Sequence, residues 1–308
     1  MLKKYDEVFQ VKEEPMNPGG RSCLGCGGGI VTRMVLKAVG PNAVTTVGSC
    51  GTNTTNHFPI GQMSTIPIPI GILGAPGAAL SGLEVAARVK GNEDAIVVGM
   101  LGDGDASDIG FGNLSACFER GHKVIVVVVD NQGYSATGGQ RSGTTGLKAW
   151  TRSTPKGKSR PPKYLPFIML AHGAPYVATC SVGYPEDLFE RVKKATKREN
   201  QPAFIQCINP CPMSWKTHPS MTVEVCKRAV TSGIWPLWEY ERGTFRRTIV
   251  PKKLTPVEDY LSLQGRFNHL TGDDIEEIKA YIKDLNETVD KYAEVYSKYS
   301  EYQPATVV

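Results

Sequence analysis

Six consecutive β-branched residues, Val124-Ile125-Val126-Val127-Val128-Val129, constrain the fold of this chain more than any other feature. An unbroken apolar run of that kind suits a strand covered on both faces, the habit of parallel sheets flanked by helices. An acidic turn, Gly102-Asp103-Gly104, and a helical segment precede it, and Asp130-Asn131 and a polar loop follow. With one helix and one strand between them, Asp103 and Asn131 fall at the carboxyl ends of neighbouring parallel strands. Open α/β sheets bind their ligands at that edge. An aspartate and an amide oxygen meeting there suit a hard cation such as Mg²⁺, which keeps few protein ligands and fills the rest with phosphate oxygens. The bland alternative is an Asx turn at each place.

The rest of the chain repeats the strand–helix alternation. Ile30–Val39 reads as a helix, Val44–Val47 as a strand, Ala78–Val89 as a helix and Ala95–Val98 as a buried strand. Beyond a long basic loop that ends near Pro162, Ile168–Gly173 is helical. Tyr176–Ala178 is a strand, Pro185–Arg198 a helix with proline in its first turn, and Ala203–Ile208 a strand. The alternation predicts an α/β fold: a doubly wound, mostly parallel sheet with helices on both faces. Residues 1–22 read as a polar arm, 23–240 as the α/β domain and 241–308 as an extension. Past Cys226 the chain turns aromatic, then basic. In 273–300, Ile275, Ile278, Ile282, Leu285, Val289 and Tyr292 recur at three- and four-residue steps, which predicts a long helix packed on the domain or on a partner.

Composition excludes several classes. The net charge of +5 is mild and its lysines and arginines are scattered, so the basic stripe with interleaved aromatics that nucleic-acid binding needs is missing. The densest basic segment, Lys156 to Lys163, reads as a solvated loop or a partner contact. No apolar run is long enough to span a membrane. The N-terminus lacks the apolar core of a secretory signal. A cytoplasmic location follows as the expectation, and with it a redox or metal role for paired cysteines before a disulfide role.

Cys23-Leu24-Gly25-Cys26 is such a pair, set in a glycine-rich loop; Cys50 ends the next strand, and either Cys211 or Cys226 could complete four thiolates. Zinc ribbons supply two close pairs, whereas one pair plus dispersed single cysteines favours an iron–sulfur cluster. Cys117, Cys180 and Cys207 fit buried thiols. The loop Tyr134-Ser135-Ala136-Thr137-Gly138-Gly139-Gln140-Arg141-Ser142 offers hydroxyls and glycine amides as an anion cradle, or is an ordinary polar loop. Of five histidines only His57 lies near these motifs.

GDG, then DN at the end of a strand, then YSATGGQRS, resembles the thiamine-diphosphate signature of the 2-oxoacid:ferredoxin oxidoreductases. CLGCG, GSCG and VCKRAVTSGIWPLWEY resemble the cluster cysteines of that family's β subunit, and PVEDYLSLQGRFNHL is similar to its later segment. The likeness runs from about Ser22 to Leu270 in family order.

The resemblance implies the thiamine-diphosphate-binding fold of the diphosphate-binding type. It implies that Asp103, Asn131 and the carbonyl of Gly133 hold Mg²⁺. Gly102, Gly104, Asp105, Tyr134, Ser135, Ala136, Thr137 and the region of Cys50 and Gly51 would line the cofactor. Cys23, Cys26, Cys50 and Cys226 would bind one [4Fe–4S] cluster; Cys226 is preferred to Cys211 because the family's last ligand precedes a segment like AVTSGIWPL. The implied reaction is oxidative decarboxylation of a 2-oxoacid, usually to acyl-coenzyme A and CO₂, with electrons leaving through the cluster to ferredoxin or a similar acceptor. The glutamate that activates thiamine would come from an α subunit carrying the pyrimidine-binding domain, so this chain should be inactive alone. Further γ and ferredoxin-like δ subunits are implied. The chain departs from pyruvate-using relatives at Ala136, where they carry asparagine, and at Gly74-Ala75-Pro76-Gly77, where they are bulkier and polar. Both departures point to a larger substrate such as phenylglyoxylate, with pyruvate or oxalate as alternatives. A thiamine-dependent decarboxylase without a cluster and a zinc-stabilised interaction subunit are the competing readings.

Overall fold

The computed structural model describes residues 14–17, 22–47, 64–68, 71–297 and 306–307; Cys50, Gly51, His57 and most of the N-terminal arm lie outside them. The first half alternates as α1 (Gly27–Val39), β1 (Ala43–Val47), α2 (Pro76–Val89), β2 (Ile96–Gly102), α3 (Phe111–Glu119) and β3 (Val124–Asp130). It continues with α4 (Leu165–Ala171), β4 (Tyr176–Ser181), α5 (Pro185–Ala195) and β5 (Ala203–Ile208). These five strands pair in parallel in the order β1-β2-β3-β5-β4.

All seven residues of β3 are buried. Ile125, Val127 and Val129 join an apolar cluster with Val31 and Val35 of α1 and Leu188 of α5. Val124, Val126 and Val128 face the other way, toward Leu80 of α2 and Leu114 of α3. Each such side chain contributes about 1.5–3 kcal/mol on burial, so the run that looks uniform in sequence serves two cores at once.

The second half holds α6 (Pro212–Trp215), α7 (Thr222–Thr231), β6 (Leu237–Glu241), β7 (Thr244–Val250), α8 (Glu258–Leu261), α9 (Gly272–Ser297) and β8 (Thr306–Val307). β6 and β7 form an antiparallel extension of the sheet beside β4; the sequence reading noted only an aromatic stretch there. What hides β6 is its centre, Glu239, only 1% exposed in the strand. Its carboxylate takes Arg191, Lys194 (2.7 Å) and Arg246 as ionic partners and accepts the Tyr176 hydroxyl at 2.9 Å. Those partners come from α5, β4 and β7, so no local pattern announces them. The long helix α9 buries Ile278, Ile282, Leu285 and Val289 against the sheet, and Tyr292 stacks 4.7 Å from Phe167. It packs on the chain's own body, one of the two arrangements expected.

Burial alone would raise the Glu239 carboxyl, but Arg191, Lys194 and Arg246 overcome that and hold it at about 2 against an ordinary 4.5. A carboxyl depressed in the folded state lends stability that is complete above the ordinary value and lost as pH falls toward the folded one. Glu239→Gln should lower the unfolding free energy by about 3–5 kcal/mol, because it strands buried cations. Urea midpoints at pH 7 and at pH 3 check this, since the variant should lack part of the wild-type loss between them.

Candidate active site at the carboxyl edge of β2 and β3

The β2–β3 register pairs Gly102 with Val129, so the residues that follow, Asp103 and Asp130, leave the sheet side by side and Asn131 comes one step later. Both aspartates are buried, at 1% and 0% exposure. The Ser142 hydroxyl donates to Asp103 Oδ2 at 2.5 Å. Thr144 Oγ1 lies 2.9 Å from Asp103 Oδ2 and 2.9 Å from Asp130 Oδ1. Gln206 donates to Asp130 Oδ2 at 2.6 Å, and the Gln132 amide to Oδ1 at 2.9 Å. A hydroxyl has one proton, so Thr144 can satisfy only one of the two carboxylates at a time. Burial and the charge of Asp130 push Asp103 up, against the pull of Ser142 and Thr144. Burial pushes Asp130 up as well, against the pull of Gln206, Thr144, the Gln132 amide and the Arg266 charge. Two buried acids with one shared proton donor make a site that a divalent cation would neutralise.

The other expected cation ligands fit that role. Asn131 Oδ1 accepts only the Ser135 hydroxyl, at 3.3 Å, among the described residues, while Trp215 Nε1 donates to the Asn131 carbonyl at 2.7 Å and fixes the backbone. The Gly133 carbonyl accepts no hydrogen bond among the described residues. Among the described residues, at this site or elsewhere, no three His, Cys, Asp or Glu side chains gather closely enough to hold a metal by themselves. The donor set is therefore one carboxylate, one amide and one carbonyl with places left over, the pattern of Mg²⁺ shared with phosphate oxygens.

The acidic turn runs from β2 into a single π-helical turn, Asp105–Ile109, before α3. Asp105 is 1% exposed; Oδ1 accepts the Gly74 amide at 2.8 Å and Oδ2 has no partner. Burial raises it to about 6, against the pull of that amide. Gly104 lies flat under the Tyr134 ring: a Cβ there would stand 2.4 Å from two ring carbons. The Tyr134 hydroxyl donates to Gly104 O at 3.0 Å and lies 3.2 Å from Asp108.

The loop 134–140 closes on itself through a Tyr134–Gln140 bridge. Ser135 receives the Ser214 hydroxyl at 2.9 Å, and Thr137 turns its hydroxyl to Gln140. Ala136 and Thr137 are exposed at the tip. The stretch Gly74 to Gly77 forms the start of α2, with Pro76 in its first turn. Beside the loop a cleft of about 310 Å³ is lined by Gly133, Ser135, Arg152, Ser214, Trp215 and Lys216, among others. Lys216 Nζ stands 3.6 Å over the Trp150 ring.

The cysteines divide differently from the sequence reading. Cys23 is exposed and Cys26 half-buried at the start of α1. Burial raises the Cys26 thiol, the Gly28 amide lowers it, and the thiols of Cys211 and Cys23 raise it again. Cys211 is thus a neighbour of the pair, and the Gly27 amide donates to Pro210 O at 3.3 Å, tying the two loops together. Cys226 sits elsewhere, in α7. It is fully buried within the apolar core, its thiol 3.7 Å from the Ile208 carbonyl. The usable signal in the sequence was Asn209-Pro210-Cys211-Pro212, whose prolines keep that cysteine in a loop next to the strand end.

Within the basic segment Lys156, Arg160 and Lys163 are exposed as expected, but Lys158 is 2% exposed; Lys163 donates to Ser107 O at 2.6 Å and pairs with Asp108 at 2.9 Å. Thr144, Gln206 and Lys158 were not singled out from sequence. Thr144 and Lys158 lay in hydroxyl- and lysine-rich loops after the motif, whereas Gln206 sits inside β5. No helix among the described residues is long and apolar enough to cross a membrane.

The profile of the family "Thiamine pyrophosphate enzyme, C-terminal TPP binding domain" matches residues 46–207. Pyruvate synthase subunit PorB of Methanothermobacter thermautotrophicus is 42% identical over 278 residues, covering 88% of this chain and 96% of that protein. Ketoisovalerate oxidoreductase subunit VorB of Pyrococcus abyssi is 38% identical over 297 residues, covering 92% and 95%. Among solved structures, the 2-oxoglutarate:ferredoxin oxidoreductase of Magnetococcus marinus, with 2-oxoglutarate, coenzyme A and succinyl-CoA bound, matches with a TM-score of 0.60 at 22% identity, over 88% of this chain and 96% of that one. That last likeness concerns the fold.

Gly104→Ala should displace the Tyr134 ring and cost about 1–3 kcal/mol of stability, as overpacking does. Thermal unfolding of Gly104→Ala and of Gly104→Ala with Tyr134→Ala tests this: the second substitution should return part of the loss.

Proposed function

The chain belongs to the β subunits of the 2-oxoacid:ferredoxin oxidoreductases, and from that premise we propose that it holds thiamine diphosphate through Mg²⁺ and passes electrons to a [4Fe–4S] cluster during oxidative decarboxylation of a 2-oxoacid. The observation that supports the reading best is the buried Asp103–Asp130 pair, which shares one hydroxyl and, among the described residues, forms no salt bridge. Asp103, the Asn131 amide oxygen and the Gly133 carbonyl are the Mg²⁺ ligands. Ser142 and Thr144 hold the Asp103 carboxylate in place. Gly104 and Asp105, at the turn, together with Gly102, Tyr134, Ser135 and the region of Cys50 and Gly51, line the cofactor. Ala136 and Thr137 form the loop tip at its rim. Bound thiamine diphosphate would supply an electron sink for breaking the carboxyl carbon bond. The protein's part is to bind, orient and exclude water. No glutamate of the described site stands ready to activate the aminopyrimidine, and an α subunit supplies it at a shared interface.

Cys23, Cys26 and Cys50 are three cluster ligands, and Cys211 replaces Cys226 as the fourth. Cys211 is the thiol that acts on Cys26, whereas Cys226 is enclosed by the core. A cluster so held supplies a one-electron exit to ferredoxin or a similar acceptor. Coenzyme A takes the acyl group, and γ and ferredoxin-like δ chains complete a cytoplasmic assembly.

For the substrate, Ala136 in place of an amide and the small residues Gly74 to Gly77 favour an acid larger than pyruvate, such as phenylglyoxylate. Pyruvate is the second reading, favoured by the 42% identity to a pyruvate synthase subunit. The complex, purified without oxygen together with its own partner chains, should reduce a viologen dye with coenzyme A and at least one of pyruvate, 2-oxoisovalerate, phenylglyoxylate, 2-oxoglutarate and oxalate. Silence with all five would sink the proposal. Asp103→Ala should lose bound thiamine and keep its iron. Cys26→Ala and Cys211→Ala should lose iron, and Cys226→Ala should keep it; iron assays on the four proteins decide between Cys211 and Cys226.

A further inference from the structure

The Lys156–Lys163 segment conceals an unusual group. Lys158 carries its ammonium into the protein with no carboxylate bonded to it. Its three protons go to three backbone carbonyls: Gly143 at 2.9 Å, Thr145 at 2.6 Å and Pro161 at 3.3 Å. A lysine buried without a bonded carboxylate is rare and costly. Here burial lowers it to about 8, with Arg141 acting in the same direction and the charges of Asp108 and Asp130 opposing it from farther off. Its backbone is anchored too: the Lys158 carbonyl accepts from Lys148 N at 2.8 Å, and its amide donates to Ala149 O at 3.1 Å. The preceding Gly157 has φ +85°, and a Cβ there would meet Lys148 O at 2.7 Å. The side chain therefore leaves from a fixed point in a conformation only glycine allows next to it.

Gly143 and Thr145 flank Thr144, the residue shared by Asp103 and Asp130. The peptide 142–145 is pinned from several sides. The Gly143 amide donates to Asp108 at 2.8 Å, and Thr145 Oγ1 donates to Gln132 O at 2.7 Å. The lysine takes the carbonyl side of this peptide, and the hydroxyls of Ser142 and Thr144 point to Asp103. Both hydroxyls engage Oδ2 of Asp103, and no side-chain donor among the described residues engages Oδ1.

We propose that Lys158 is a positioning residue for the cation site: by gripping the Gly143 and Thr145 carbonyls it sets the Ser142 and Thr144 hydroxyls on one oxygen of Asp103 and leaves the other for the cation. This rests on Asp103 being a cation ligand. Residues that orient metal ligands from behind typically change metal affinity 10- to 100-fold when removed.

The test is a titration of Mg²⁺, at saturating thiamine diphosphate, into the stripped complex with its partner chains, read by tryptophan fluorescence. Lys158→Met should weaken Mg²⁺ binding at least about 10-fold, and the exposed Lys156→Met should stay near wild type. Adding Thr144→Val to Lys158→Met should cost less than the sum of the two single losses, because both act through the 142–145 peptide. In Lys158→Ala, millimolar propylammonium should restore much of the affinity, which a general loss of structure would not allow. Near-wild-type affinity in a folded Lys158→Met, additive losses in the double variant, or no rescue would each overturn the proposal. If Lys158→Met does not fold, Thr144→Val alone carries the test, and unchanged affinity there overturns it. Unchanged affinity in Asp103→Asn would instead overturn the cation reading on which the clamp rests.

Discussion

One threonine hydroxyl placed between two buried carboxylates is the constraint on which the rest of this site depends. Asp103 and Asp130 are adjacent because β2 and β3 are adjacent, and they are buried because the loop 131–163 folds over the strand ends. Water would ordinarily disperse such a charge pair. Here it is excluded, and the protein supplies two hydroxyls, a side-chain amide and a backbone amide, with the Arg266 charge acting on Asp130. Residues 46–207, which match a thiamine pyrophosphate-binding domain, contain both aspartates and the hydroxyls and amides around them.

Much of this was visible in the sequence. The run Val124–Val129 gave a doubly covered strand because burial on both faces removes any need for alternation. The spacing of Asp103 and Asn131 placed both at the same sheet edge because a right-handed crossover leaves them no other place. The CxxC loop, the GDG turn and the hydroxyl loop were equally legible, since each is local. Cys50 and Gly51 lie outside the described residues.

What stayed hidden was long-range. Glu239 is a charged residue in a strand that only Arg191, Lys194 and Arg246 make tolerable, and those three come from two other elements. Lys158 looks like any loop lysine until three carbonyls close around it. Cys211 and Cys226 are equivalent as letters; only burial separates a thiol at a loop junction from one inside α7. In each case a polar residue's role is set by partners that sequence distance conceals.

The short turn α6 joins two of these features. At its start is Cys211, neighbour of Cys26. At its end is Trp215, whose indole grips the Asn131 backbone and whose face lies under the Arg266 guanidinium at 3.7 Å. Four helical residues advance about 6 Å along the axis. The Cys211 loop and the Asn131 backbone are therefore held at opposite ends of one short helical turn, which ends at Lys216 in the left-handed conformation. The two loops are joined within this one polypeptide, by a single indole and one turn of helix.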